Sequence, residues 1–203
     1  MALTNVGLVS FIKTKLGTPY VYGMKGKVMT LNDYNSLKKK YGSAVWDSDK
    51  KKVGKVCCDC SGLISWYTGI QRGSTQYKNL AKKVNPISTI SKAPIGAAVW
   101  QEGHIGVYIG NGEYIAEDGS AYGCRKNKIS KAKFTHWFLL SDIEYIKEDD
   151  EMVETSKIKV NGQYYTISRI LKDGNNYIKI RDLEKAGFKI SNEGSVAVLE
   201  FKP

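Results

Sequence analysis

Cys60 opens an apolar run, Ser61-Gly62-Leu63-Ile64-Ser65-Trp66-Tyr67, directly after Asp59. Aspartate is a good helix N-cap, because its carboxylate accepts hydrogen bonds from the unpaired N–H groups of a first turn. Those N–H groups, with the partial positive charge of a helix start, favour a thiolate over a thiol. An ordinary thiol is only slightly ionised at neutral pH, so this placement suits a nucleophile. Further on, His104-Ile105-Gly106-Val107-Tyr108-Ile109 alternates like a strand and carries one of the chain's 2 histidines at its start. A histidine there can take the thiol's proton and return it to a leaving group. The implied chemistry is attack of Cys60 on a carbonyl, with His104 as base and then acid.

Several elements must position these groups. Val6, Leu8, Val9, Ile12 and Leu16 recur near a 3.6 period, predicting a helix over 5–16 that Gly17-Thr18-Pro19 ends. Tyr20-Val21-Tyr22-Gly23 follows as an extended aromatic loop. Thr30 to Tyr41 predicts a second helix, capped at Thr30 or Asn32, with Lys38 to Lys40 on its tail where cations suit the dipole. Ser43 to Val56 is polar and lysine-rich and is expected to be a surface loop. The helix beginning at Cys60 should stop near Gly69 or Gly73, and a short helical piece is expected near Tyr77 to Lys83. Strands are predicted over 97–101, 104–109, 113–116 and 134–140. Gly110-Asn111-Gly112 supplies the positive φ that a tight hairpin demands.

A shift to Glu148, Asp149, Asp150, Glu151 and Glu154 marks residues 147–156 as an acidic linker between a first domain, 1–146, and a second, 157–203. The second domain should open with a hairpin around Asn161-Gly162. Strands near Tyr177, Phe188 and 196–201 and a short helix at Asp182 to Ala186 complete a small α+β unit.

Composition narrows the partners. The 203 residues are 42% hydrophobic and 25% charged, which excludes a disordered chain, and no apolar run is long enough to span a membrane. A net charge of +11 favours polyanions, among them anionic wall polymers. No aromatic–basic stacking motif supports nucleic acid as partner. Met1 to Asn5 lacks the basic and apolar regions of a secretory signal, so synthesis in a cytoplasm is expected.

Cys57, Cys58 and Cys60 crowd together and Cys124 stands alone, unlike the spread of a secreted disulfide scaffold. Cys57 and Cys60 form a C-x-x-C, which could serve redox chemistry or half a zinc site. Only Cys124, His104, His136 or carboxylates could complete such a site, so no metal and no cofactor is expected. Cys57, Cys58, Cys124 and His136 are read as packing residues.

Asp59-Cys60-Ser61-Gly62-Leu63 and Gly103-His104-Ile105-Gly106-Val107-Tyr108-Ile109-Gly110-Asn111-Gly112, with Leu16-Gly17-Thr18-Pro19-Tyr20-Val21-Tyr22-Gly23 upstream, together resemble the NlpC family of papain-like bacterial cell-wall peptidases. The three motifs lie in the family's order within about the first 145 residues. The resemblance implies an α+β, papain-like NlpC fold, with N-terminal helices packed on a central antiparallel sheet and a second, smaller α+β domain behind. It implies Cys60 as nucleophile, His104 as general base and acid, and Tyr20 as support for substrate or oxyanion. Asp59 and Ser61 are expected to bind substrate. The family orients its histidine with a polar residue twelve positions later, which here is Ala116. Glu117, its neighbour, becomes the candidate if a bulge shifts the strand register.

The resemblance further implies hydrolysis of an amide in peptidoglycan stem peptides, between D-glutamate and the following diamino acid. With the expected lack of a signal peptide, it suggests an endolysin made in a host cytoplasm and acting on the wall after release. The same dyad could instead serve an amidase or acyl transferase, and a basic chain could be a non-enzymatic wall-binding protein. The C-terminal segment around Tyr177-Ile178-Lys179-Ile180-Arg181-Asp182-Leu183 is similar to the small stalk domain of copper amine oxidases, without implying copper. Wall binding is the expected role of that segment.

Overall fold

A computed structural model describes residues 3–146, 154–172, 175–193 and 196–201. The chain divides into two compact units, residues 1–146 and 147–203.

In the first unit, the Thr4 hydroxyl accepts from Gly7 N at 3.1 Å and caps α1 (Asn5–Lys13), whose Leu8 and Ile12 are wholly buried. A short strand, β1 (Lys25–Val28), precedes α2 (Leu31–Tyr41). Thr30 and Asp33 exchange hydrogen bonds across the start of α2, which fixes the N-cap at Thr30. Next come β2 (Val56–Cys58), antiparallel to β1, and α3 (Cys60–Thr68), which ends at Gly69 in the left-handed conformation, φ 74°. The last helix of the unit, α4 (Ser74–Asn79), starts earlier than its sequence suggests, since Gln76 caps Gly73 N at 2.8 Å.

The remaining strands of the unit are β3 (Val84–Pro86), β4 (Ala98–Gln101), β5 (His104–Gly110), β6 (Glu113–Glu117), β7 (Cys124–Lys128) and β8 (His136–Phe138). They form one antiparallel sheet in the order β3-β8-β4-β5-β6-β7. Alternation assigns its two faces. Ala98, Trp100, Ile105, Val107 and Ile115 form one core with Leu8, Ile12, Leu63 and Ile64 of α1 and α3. Ala97, Val99, Tyr108, Tyr114 and Ala116 form the other, with Phe134 and Trp137. Each large side chain fully buried there stabilises the fold by roughly 1.5–3 kcal/mol. This is the α+β arrangement of helices on a central antiparallel sheet.

Ser43 to Val56 is not a simple surface loop. It folds as two 3-10 turns, Gly42–Ala44 and Asp47–Lys52, with Val45 and Asp49 wholly buried. Val45 joins Val21, Met24, Met29, Tyr34 and Cys57 in a third core. Polarity misled because the charged residues are satisfied inside the protein, by neighbours three residues away and by distant Ser120. Asp49 accepts from Lys52 Nζ at 2.7 Å, Trp46 N at 2.8 Å and Ser120 Oγ at 3.1 Å.

The second unit begins earlier than expected. Glu154 to Ser156, assigned to the linker, belong to β9 (Glu154–Val160), paired with β10 (Gln163–Lys172). The rest of the linker assignment, 147–153, lies outside the described residues. Asn161 and Gly162 join the two strands with φ of 48° and 83°, as a tight hairpin requires. β11 (Asn175–Ile178) pairs with β10, a 3-10 helix covers Ile180–Ala186, and β12 (Phe188–Glu193) pairs with β13 (Val196–Phe201). Ile167, Leu183 and Ala186 are buried in this unit.

Candidate active site

Cys60 is the first residue of α3, and Asp59 is its N-cap, accepting from Gly62 N at 2.6 Å. The Asp59 carboxylate also accepts from Gly23 N at 2.9 Å and from Lys25 Nζ at 2.9 and 3.0 Å. Ser61 Oγ donates to Asp59 at 2.9 Å and accepts from Lys25 at 2.7 Å. Asp59 and Ser61, expected to bind substrate, are instead buried and turned inward, where they fasten the helix start to the Gly23–Lys25 segment. Packing is tight there. A Cβ on Gly62 would lie 2.4 Å from the Met24 carbonyl oxygen, so the first turn needs glycine.

Tyr20 bridges Cys58 in parallel, with Val21 N bonded to Cys58 O at 3.0 Å and Cys58 N to Pro19 O at 3.2 Å. The aromatic segment therefore runs alongside the strand that leads into Cys60. Burial raises the Tyr20 phenol above its ordinary pKa, and the nearby charges of Cys60 and Asp59 add to this. The Tyr20 phenol is thus held neutral.

His104 begins β5 at the end of the sheet reached by the N-terminus of α3. Its ring stacks on Phe134 at 5.6 Å between centroids, 8° from parallel. Burial lowers its pKa, but hydrogen bonds to Asp118 and Cys60 outweigh that and raise it to about 9. Nε2 lies 3.2 Å from Asp118 Oδ1. Asp118 Oδ2 accepts from Arg125 Nε at 2.6 Å and from the Tyr114 hydroxyl at 3.3 Å. Burial works to raise the Asp118 pKa, yet its bonds to His104 and Arg125 hold the carboxyl below the ordinary range. Asp118 thus holds the His104 ring by a hydrogen bond, and Cys60 is near enough to raise the His104 pKa, an arrangement able to take a proton from the thiol and hold the resulting cation.

No protein-family profile matches the sequence, and no curated protein does. Solved structures do. NlpC2 from Trichomonas vaginalis is 19% identical over 69% of this chain and 47% of its own, with a TM-score of 0.47. The peptidoglycan hydrolase RipB from Mycobacterium tuberculosis is 24% identical over 70% of this chain and 65% of its own, with a TM-score of 0.45. The P60 domain of an antigen from M. avium subspecies paratuberculosis is 21% identical over 69% of this chain and 96% of its own, with a TM-score of 0.47. The chain spans about half the length of the Trichomonas protein.

Glu117 does not orient His104. It lies on the sheet face opposite to Ala116, wholly buried, and neither carboxylate oxygen has a hydrogen-bond partner. Burial, and next the charge of Asp59, push its pKa up to about 9. The pairing Val107↔Ile115 and Tyr108↔Tyr114, continued toward the strand start, sets His104 opposite Asp118. A bulge between Tyr108 and Gly110 fixes that register. Regular pairing outward from Asn111-Gly112 would set His104 opposite Gly119, so it is the bulge that brings Asp118 to the imidazole.

The C-x-x-C does not close. The Cys57 thiol faces Lys52 O and Lys55 O, at 3.8 and 3.5 Å, within the Val21–Met29–Val45 core, while Cys60 belongs to the core under α3. All four cysteines are free thiols, and burial raises Cys57 to about 11 and Cys124 to about 12. Among the described residues no three His, Cys, Asp or Glu side chains are grouped to hold a metal. His136 pairs through Nδ1 with Thr135 Oγ1 at 2.8 Å on β8, away from the thiol. A depression of about 460 Å³ lined by Lys82, Lys92, Trp137 and Tyr145 holds none of the reactive residues.

Proposed function

We propose that the first unit is a cysteine hydrolase that cuts an amide in peptidoglycan stem peptides. The observation that carries this reading is the series Cys60–His104–Asp118 at the capped start of α3. Cys60 Sγ attacks the scissile carbonyl while His104 holds the proton that the thiol has given up. The carbonyl oxygen becomes an oxyanion, for which the unpaired N–H of Cys60 and the neutral Tyr20 hydroxyl are the donors at hand. His104 returns the proton to the leaving amine, and water then clears the acyl-enzyme. Asp118 holds the imidazole and balances its charge.

The resemblance of the three sequence motifs supports the stem peptide as substrate, cut between D-glutamate and the diamino acid, and an endolysin as the setting. The segment 157–203, with 9 basic and 5 acidic residues, fits binding to the anionic wall. Incubation of purified sacculi with the wild type and with Cys60→Ala, followed by mass spectrometry of the released fragments, tests all of this. Peptides ending at glutamate, absent with the variant, are the expected result. Fragments of amidase or transferase mass would reassign the reaction. Wall binding without release by the wild type would overturn hydrolysis.

A further inference from the structure

Three cations adjoin the reactive residues, and counting their donors separates them. Lys25 Nζ is hydrogen-bonded to Asp59, Ser61 Oγ and Arg72 O. Lys52 Nζ is hydrogen-bonded to Tyr20 O, Asp49 and Ser120 O, at 2.7, 2.7 and 2.9 Å. An ammonium has three N–H donors, so both lysines are filled from within the protein. A guanidinium has five. Arg125 gives Nε to Asp118, and its side chain remains 40% exposed. The Tyr122 ring supports it from below, 4.1 Å from Cζ, and is itself exposed. Only the Asp118 carboxylate separates this guanidinium from His104.

We infer that Arg125 is a specificity-determining residue, whose outer N–H edge binds a free carboxylate on the acyl-side residue of the substrate. This rests on the hydrolase reading above. A planar guanidinium suits a carboxylate through two parallel hydrogen bonds, and its bond to Asp118 with the stacked ring beneath fixes the plane in advance. A glutamyl residue linked through its side chain carries such a carboxylate, only a few bonds from the scissile carbonyl. Its amidated form keeps one carbonyl acceptor but replaces the second oxygen, and the negative charge, with an N–H donor that a guanidinium, having no acceptor, cannot receive. Charge density follows the same preference, since Asp118 compensates Arg125 on one edge and the substrate completes the other.

Two stem peptides identical except for carboxylate or carboxamide at that residue provide the test. Wild-type protein should cleave the carboxylate form with at least about tenfold higher kcat/KM, mainly through KM. Arg125 also holds Asp118, so its substitution is read by binding in the Cys60→Ala background. Cys60→Ala should bind the carboxylate peptide at least about tenfold tighter than the carboxamide, and Cys60→Ala/Arg125→Gln should bind both alike. Equal affinities in Cys60→Ala, or a preference that survives Arg125→Gln, would overturn the inference. Equal cleavage of both peptides by the wild type rejects the carboxylate site and leaves the hydrolase reading standing. Cleavage of neither rejects the hydrolase reading itself.

Discussion

Asp118 Oδ1 lies 3.2 Å from His104 Nε2, while the adjacent Glu117 is buried on the other side of the same strand without a partner. One residue decides which carboxyl serves the imidazole. Asp118→Asn should lower kcat by a factor on the order of 10²–10⁴, the usual range for a lost acid–base contribution. Glu117→Gln should leave kcat within a few-fold of wild type. Steady-state kinetics on one stem peptide compares the two, and the reverse ranking would return the role to Glu117.

The His104 pKa near 9 sets an alkaline limit on turnover. Above it the imidazole holds no proton for the leaving amine, so kcat should fall as pH rises through about 9. In Asp118→Asn a carboxylate bond that raises this pKa is gone while burial still lowers it, so the limb should move to lower pH. A pH–rate profile that stays flat beyond pH 10 would show that His104 is not the acid.

Glu117 makes stability depend on pH with a definite sign. Its pKa is 4.5 as an ordinary glutamate and about 9 in the fold, so the native state keeps a proton that the unfolded chain releases. Glu117's contribution to stability is therefore fully present below about 4.5 and is lost as pH rises toward 9. Glu117→Gln removes that slope. Denaturant titration should find the variant more stable than wild type at pH 8, where the unfolded chain ionises Glu117 and the fold does not, and comparable at pH 4. Parallel stability profiles for the two proteins would contradict a protonated Glu117.

Much of this site is legible in the sequence, and the reasons are local. Asp59 before Cys60 and the helix after it are a cap and an apolar stripe, both short-range signals. His104 announces itself by strand alternation and a glycine-rich turn. Asp118 does not, because its place depends on where a bulge falls between Tyr108 and Gly110. The burial of Asp49 and the inward turn of Asp59 and Ser61 are equally hidden, since Ser120, Gly23 and Lys25 are distant in sequence. Composition reads a lysine as solvated until its partner is known.

Lys52 joins three segments and should be costly to remove. Lys52→Met leaves the wholly buried Asp49 carboxylate without its cation and cuts the ties to Tyr20 and Ser120. Thermal unfolding should show a loss of roughly 3–5 kcal/mol, the range for a broken buried pair. Lys52→Met/Asp49→Leu, which removes both charges, should recover part of it. A loss below about 1 kcal/mol for the single variant would place the pair among ordinary surface bridges.

Gly62→Ala tests the close approach at the start of α3. The added methyl would meet Met24 O at 2.4 Å and Cys58 Sγ at 2.9 Å, so the helix start must shift. Helix propensity alone would favour alanine by about 1 kcal/mol. The variant should nonetheless be destabilised and lose activity together, measured by thermal unfolding and peptide cleavage on one preparation. A gain in stability would mean that the first turn has room to spare.

His104 and Asp118 stand 14 positions apart within one hairpin, whereas Cys60 precedes His104 by a stretch that includes α3, α4 and two further strands. Closing a short hairpin is entropically easier than docking a distant helix. The acid–base pair can therefore assemble during folding before the thiol meets it. On the hydrolase reading, the nascent chain cannot bring Cys60 to His104 until α3 seats against the sheet, so cleavage competence would report completion of the whole first unit.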